Sequence, residues 1–224
     1  MVIYPPQFEV LFSHFVTNCF RLGAQSRVKN EIAIRQILAC YMEEGRHYHT
    51  FRHIMECLLH FDRIRHLLSE EDAHVVFFAI VFHDVVYDPR RRDNEEESIL
   101  YMRRMTHDLQ IDPKIILRVE ALIGLTHHKD NTPVSPAADH FLDIDLAILG
   151  AEPPRYAEYT RQIRAEYAHV SDAQYKLGRR AFLGMMLARA KSGGIYRAEY
   201  FRDKHEKMAV ENLTRELATL VSRS

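Results

Sequence analysis

Apolar residues recur every three or four positions along nearly the whole chain, the spacing of one face of an α-helix. The pattern predicts helices over residues 6–21, 30–43, 49–68, 70–86, 93–109, 113–128, 136–149, 154–168, 172–190 and 198–222. Local punctuation agrees with it. Ser69 ahead of "EED" and Asp112 ahead of Pro113 have N-cap chemistry, and Gly45, Gly150 and the "SGG" at 192–194 suit helix ends. No run alternates apolar and polar residues between hairpin turns, so little or no sheet is expected. Without a repeat, a low-complexity tract or a linker, the chain reads as one all-α domain spanning 1–224, its last two or three helices packed as an appendage.

Composition narrows the classes of function. The 224 residues carry a formal charge of −1, which leaves no electrostatic footprint for a nucleic-acid polymer or an anionic membrane. Three cysteines without a CxxC spacing argue against a disulfide framework and a thiolate zinc site. The apolar run Val75–Phe82 is too short to span a bilayer, and the opening "MVIYPPQF" lacks a signal-peptide pattern, so the cytoplasm is the expected compartment. Fourteen histidines are the unusual feature.

Several of those histidines fall in "RHYHTFRHIMECLLHF", 46–61. On a helix His49 and His53 lie one turn apart, with His60 on the same side. Phe51, Ile54, Met55, Leu58 and Leu59 fill the other faces, which predicts a central helix. A single histidine in such a place is most simply a hydrogen-bonded core residue. The set changes with "VFFAIVFHDVVYDP", 76–89, where the most apolar helix ends in His83 and Asp84. A buried carboxylate needs compensation, and a divalent cation bound by neutral His83 and by Asp84 would supply it. Neighbouring helical residues point about 100° apart, so both reach one ion only if it lies against that helix.

"HFLDIDLAILG", 140–150, offers a further ligand. Asp145 shares a sector with Leu142, Leu146 and Leu149 and should face inward, whereas Asp143 should point to the flank and be solvated; helical geometry favours Asp145. In "RRRDNEEESILYM", 90–102, the acidic residues suit a helix N-terminus, but Glu95 leads the apolar stripe Ile99, Met102 and Leu109. Asn94 and Ser98 lie one turn apart on an adjoining edge, which makes Asn94, Glu95 and Ser98 candidate neighbours of substrate or attacking water. His127 and His128 sit at a predicted helix C-terminus, a favourable place for cations without any ligand. Of Arg161, Arg164, Arg179 and Arg180, one could clamp a phosphate, and the sequence does not choose among them.

Taken in order, His53, His83–Asp84 and Asp145 resemble the H…HD…D signature of the HD-domain superfamily of metal-dependent phosphohydrolases. "YHTFRHI", "FHDVVYDP", "DNEEESI", "LDIDLAILG" and "IRAEY" are similar to a bacterial family of predicted HD phosphohydrolases of about this length, from about Arg46 to the last helix. The resemblance implies an HD-domain-like helical bundle with additional C-terminal helices: a core over about 46–150 and flanking helices over 1–45 and 151–224. It implies His53, His83, Asp84 and Asp145 as ligands of a divalent ion, with Mn²⁺, Mg²⁺, Fe²⁺ and Zn²⁺ not distinguished.

Two relatives suggest roles. "YHTFRHI" is similar to the YHNxxH opening of cyclic-nucleotide phosphodiesterases, which implies His49 as general acid, although Thr50 replaces the asparagine. "HDVVYD" resembles the HDxxED of alarmone hydrolases, where the acidic pair helps activate water; Tyr87 replaces the glutamate, leaving Asp88, or else Glu95, to position the nucleophile. Some HD proteins use extra histidines for a second metal or a phosphate, which would give His127 or His128 a place at the substrate. The expected activity is hydrolysis of a nucleotide or small phosphorylated metabolite, with a homodimer kept open as the assembly. The alternatives are a di-iron oxygenase and a non-catalytic nucleotide sensor.

Overall fold

In the computed structural model, residues 8–127 and 135–222 are described. They form α1 (Phe8–Arg21), α2 (Arg27–Cys40), α3 (Phe51–Ile64), α4 (Glu70–Phe82), α5 (Asn94–Asp108), α6 (Pro113–Gly124), α7 (Pro136–Leu146), α8 (Pro153–Glu166), α9 (Asp172–Ser192) and α10 (Glu199–Ser222). Short 3₁₀ turns extend α3 (Arg65–Leu67) and α7 (Ala147–Gly150). No strand occurs among the described residues, so the fold is all-α. Nor is any of these helices long and apolar enough to cross a membrane.

The chain divides into two compact units, Met1–His127 and His128–Ser224. The division falls inside the 46–150 stretch expected to be one core, and it groups α7 with α8, α9 and α10.

The first unit is built around α4. Ser69 caps it by accepting the Asp72 N–H, and Glu70, Glu71 and Asp72 complement the positive end of its dipole. From Ala73 to Phe82 every residue is buried, so α4 is covered on all sides. Phe78 packs against Phe15 and Phe82, and Phe77 against Phe61. Helix α3 is not the central one: it buries His53, Ile54, Cys57, Leu58, Phe61 and Ile64, whereas Leu59 is exposed.

Two ends differ from the expected ones in a way that matters for the site. Helix α4 stops at Phe82 with His83 as its C-cap, so His83 and Asp84 occupy a turn instead of successive helical positions. Helix α3 starts at Phe51, which leaves His49 in the segment before it and not one helical turn from His53.

In the second unit the end of α7 packs on α10. A Cβ on Gly150 would stand 2.7 Å from His205 Cβ and from its carbonyl oxygen, so only glycine fits there. Asn212 of α10 donates its amide to Leu149 O and Ala151 O, occupying carbonyls at that helix end.

Candidate metal centre

The first unit brings His53, His83 and Asp84 together. His83 Nε2 lies 3.1 Å from His53 Nε2 and 3.0 Å from Asp84 Oδ2, and His53 Nε2 lies 3.7 Å from the same oxygen. Both imidazoles are buried, while Asp84 is partly open to solvent.

One hydrogen bond fixes the chemistry of these atoms. His83 Nδ1 is 2.9 Å from the carbonyl oxygen of Ile80, which can only accept, so Nδ1 carries the proton. In the neutral ring Nε2 is then a bare lone pair, facing a carboxylate oxygen. Lone pair against lone pair at 3.0 Å is repulsive unless a proton or a cation stands between them. Adjacent ligand atoms around an octahedral ion, each about 2.1 Å from it, stand about 3 Å apart, close to the spacings seen here. Atoms so placed could hold a metal ion. The Asp84 charge is also felt nearby. Burial, and after it this carboxylate, holds the Tyr41 hydroxyl well above the ordinary tyrosine pKa, and Tyr41 donates to Val81 O.

His49 stands one step out. Its Nε2 is 4.0 Å from Asp84 Oδ2, and its ring stacks on Tyr87 with centroids 4.0 Å apart. Tyr87 is thus the plate against which His49 lies.

The other expected residues of this unit are tied to backbone or to one another. Asp88 Oδ1 accepts the Arg90 N–H, the turn-forming role an aspartate before proline commonly has. Asn94 accepts the Asp88 N–H and donates to the Asp88 carbonyl. Ser98 is fully buried and does the same for Val86, accepting at 3.1 Å and donating at 3.2 Å. The polar atoms of Asn94 and Ser98, expected as neighbours of substrate or attacking water, fasten α5 to the turn after α4. Glu95 and Glu96 flank His127, with Oε1 of Glu95 3.3 Å from Nδ1 and that of Glu96 3.8 Å from Nε2. His128 lies outside the described residues. A cavity of about 730 Å³ lined by Lys29, Gln36, Tyr101 and Arg104 among others contains none of the candidate residues.

In the second unit Asp145 sits on α7, partly exposed. Tyr159 has its pKa raised first by burial, against the lowering effect of Arg179, with Glu216 and Asp145 adding negative charge. Asp143 is not the solvated flank residue expected. It is fully buried and accepts the backbone N–H groups of Arg197 and Ala198 just ahead of α10, an anchoring role. Two arginines considered for phosphate are committed elsewhere: Arg179 to Glu216 and Tyr159, Arg164 to Asp172 and the carbonyls of Tyr167 and Val170.

Arg46 was missed as a site residue. Its guanidinium is buried and reaches the carbonyl oxygens of His49, Asp84 and Val85. Arginine next to a charged, glycine-containing stretch reads as surface; only the fold shows what it reaches.

No protein-family model matches the chain, and no curated protein matches it.

Proposed function

We propose that this chain is a cytoplasmic, metal-dependent phosphohydrolase acting on a nucleotide or another small phosphorylated metabolite. The observation that carries the reading is the convergence of His53 Nε2, His83 Nε2 and Asp84 Oδ2 within 3.0–3.7 Å, with the proton of His83 fixed on the opposite nitrogen. The fourth ligand that the H…HD…D resemblance implies is Asp145. A divalent ion held by these groups would polarise a phosphoryl oxygen and bring the pKa of water into the neutral range.

The protein's own groups do the rest. His49, partly open to solvent and held flat on Tyr87, is the proton donor to the leaving oxygen. Asp88 orients the attacking water, with its carboxylate steered by the Arg90 N–H; Glu95, paired with His127, is the alternative base. The fastening of α5 by Asn94 and Ser98 keeps Asp88 at a fixed distance from the His83–Asp84 turn.

The test is a screen of nucleotides and phosphorylated metabolites with Mn²⁺, following inorganic phosphate. Wild type should release it, Asp84→Ala should be at background, and His49→Ala should keep its metal yet turn over about 10²–10⁴-fold more slowly. Equal release by wild type and Asp84→Ala would place the activity outside this site and end the reading. So would loss of metal from His49→Ala combined with retention by His53→Ala, as far as the assigned roles go.

A second reading, oxidation by O₂ at two irons, has one observation in its favour: Glu95, Glu96 and His127 form another group that could hold an ion. Elemental analysis decides it. One metal per chain, with no iron and no O₂ uptake, discards the oxygenase.

A further inference from the structure

The geometry points to Arg46 as the positioning residue of the metal centre, the side chain that sets the His49–His53 segment against the His83–Asp84 turn. This assignment rests on the metal reading above. The guanidinium donates from Nη1 to His49 O at 3.2 Å and to Asp84 O at 2.7 Å, and from Nη2 to Val85 O at 3.0 Å. Its remaining donors go to Glu43, with Nε 3.3 Å and Nη2 3.1 Å from Oε2. The rings of Tyr41 and Tyr87 lie 5.4 and 5.8 Å from its central carbon, within cation–π range.

The simpler account is that Arg46 only satisfies orphan carbonyls after a helix end. It explains Asp84 O and Val85 O, which belong to the turn closing α4. It does not explain His49 O, which belongs to the segment leading into α3, 35 positions earlier than Asp84. One planar fork thus joins the two pieces of chain that carry the ligands and the proton donor. The Arg46 side chain is 2 % exposed, so these bonds form away from solvent. Lysine has the charge but not the fork: its one nitrogen cannot stand at both the Nη1 and Nη2 positions from which these carbonyls are met. Arg46 also bridges to Tyr87, the plate under His49, so its removal loosens donor and ligands together.

The experiment compares wild type, Arg46→Lys and Leu11→Ala, the last a buried truncation on α1 that controls for general destabilisation. Zn²⁺ affinity is measured by competition with a chromophoric chelator, and the histidine ring ¹H–¹⁵N correlations are recorded without metal. Arg46→Lys should bind Zn²⁺ about 10–100-fold more weakly, the loss typical when support behind a ligand is removed. Its His53 and His83 ring signals should move, while Leu11→Ala should match wild type in both readouts. Wild-type affinity in Arg46→Lys, or an equal loss in Leu11→Ala at the same melting temperature, overturns the assignment. If wild type itself takes up no Zn²⁺, the metal reading falls, and unmoved ring signals in Arg46→Lys then overturn the positioning role separately.

Discussion

His140 shows how differently the histidines of this chain are employed. On α7 it is buried, its ring near that of Phe201, and its Nδ1 has no hydrogen-bond partner among the described residues. Burial lowers its pKa below the ordinary value, against a smaller opposing effect of Asp139. The folded chain therefore prefers the neutral ring. Below about pH 6.5 the unfolded chain takes up a proton that the folded one refuses, so stability falls as the pH falls through that range. His74, also lowered by burial and hydrogen-bonded to Asn18, adds a contribution of the same sign. His140→Phe should flatten part of this slope: between pH 7.5 and 5.5 its urea midpoint should drop less than that of wild type. An identical drop would mean that His140 is protonated in the fold. Nothing in the local pattern separates this histidine from His53 or His83, because a helical stripe records only which way a side chain points. The same limit explains Asp143: its partners, Arg197 and Ala198, are more than fifty residues away in sequence.

At the scale of elements, much was legible. The periodicity located the ten helices of the described residues, and the caps at Ser69 and Asp112 accept backbone N–H groups as their chemistry suggests. The ends that carry the site were not legible, since Val85 and Val86 prolong the apolar pattern of α4 after its hydrogen bonding has ceased. What ends the helix is tertiary: Arg46 takes the Asp84 and Val85 carbonyls, and Ser98 takes both polar groups of Val86. Ser98→Ala measures that second fastening. It takes the acceptor from the Val86 N–H and the donor from the Val86 carbonyl inside a crowded turn, which should cost about 1–3 kcal/mol in denaturant unfolding with an unchanged m-value. Asp88 should lose its fixed placement as well, so phosphate release should slow beyond what the stability loss explains. A variant as stable as wild type would show that water replaces the hydroxyl and that the fastening is dispensable.

Over the whole molecule, the division into two units was hidden from the sequence, because helical periodicity reports each segment's own face and not which segments share a core. The division bears on how a cation would act on stability. The proposed ligands His53, His83 and Asp84 belong to the first unit, and in the unfolded chain His53 is separated by 30 positions from the adjacent pair His83–Asp84. A cation that binds them only when folded must stabilise the fold by mass action, by about 2.7 kcal/mol at a free concentration of one hundred times its dissociation constant. For a chain of this size that corresponds to about 5–10 °C in melting temperature. Scanning calorimetry with and without Zn²⁺ should show this upward shift in wild type and none in Asp84→Ala. If the two units melt separately, the transition of the first must move. A shift of equal size in Asp84→Ala would mean that the cation binds elsewhere on the chain, and the turn at His83–Asp84 would then need a proton, not a metal, to hold its lone pairs together.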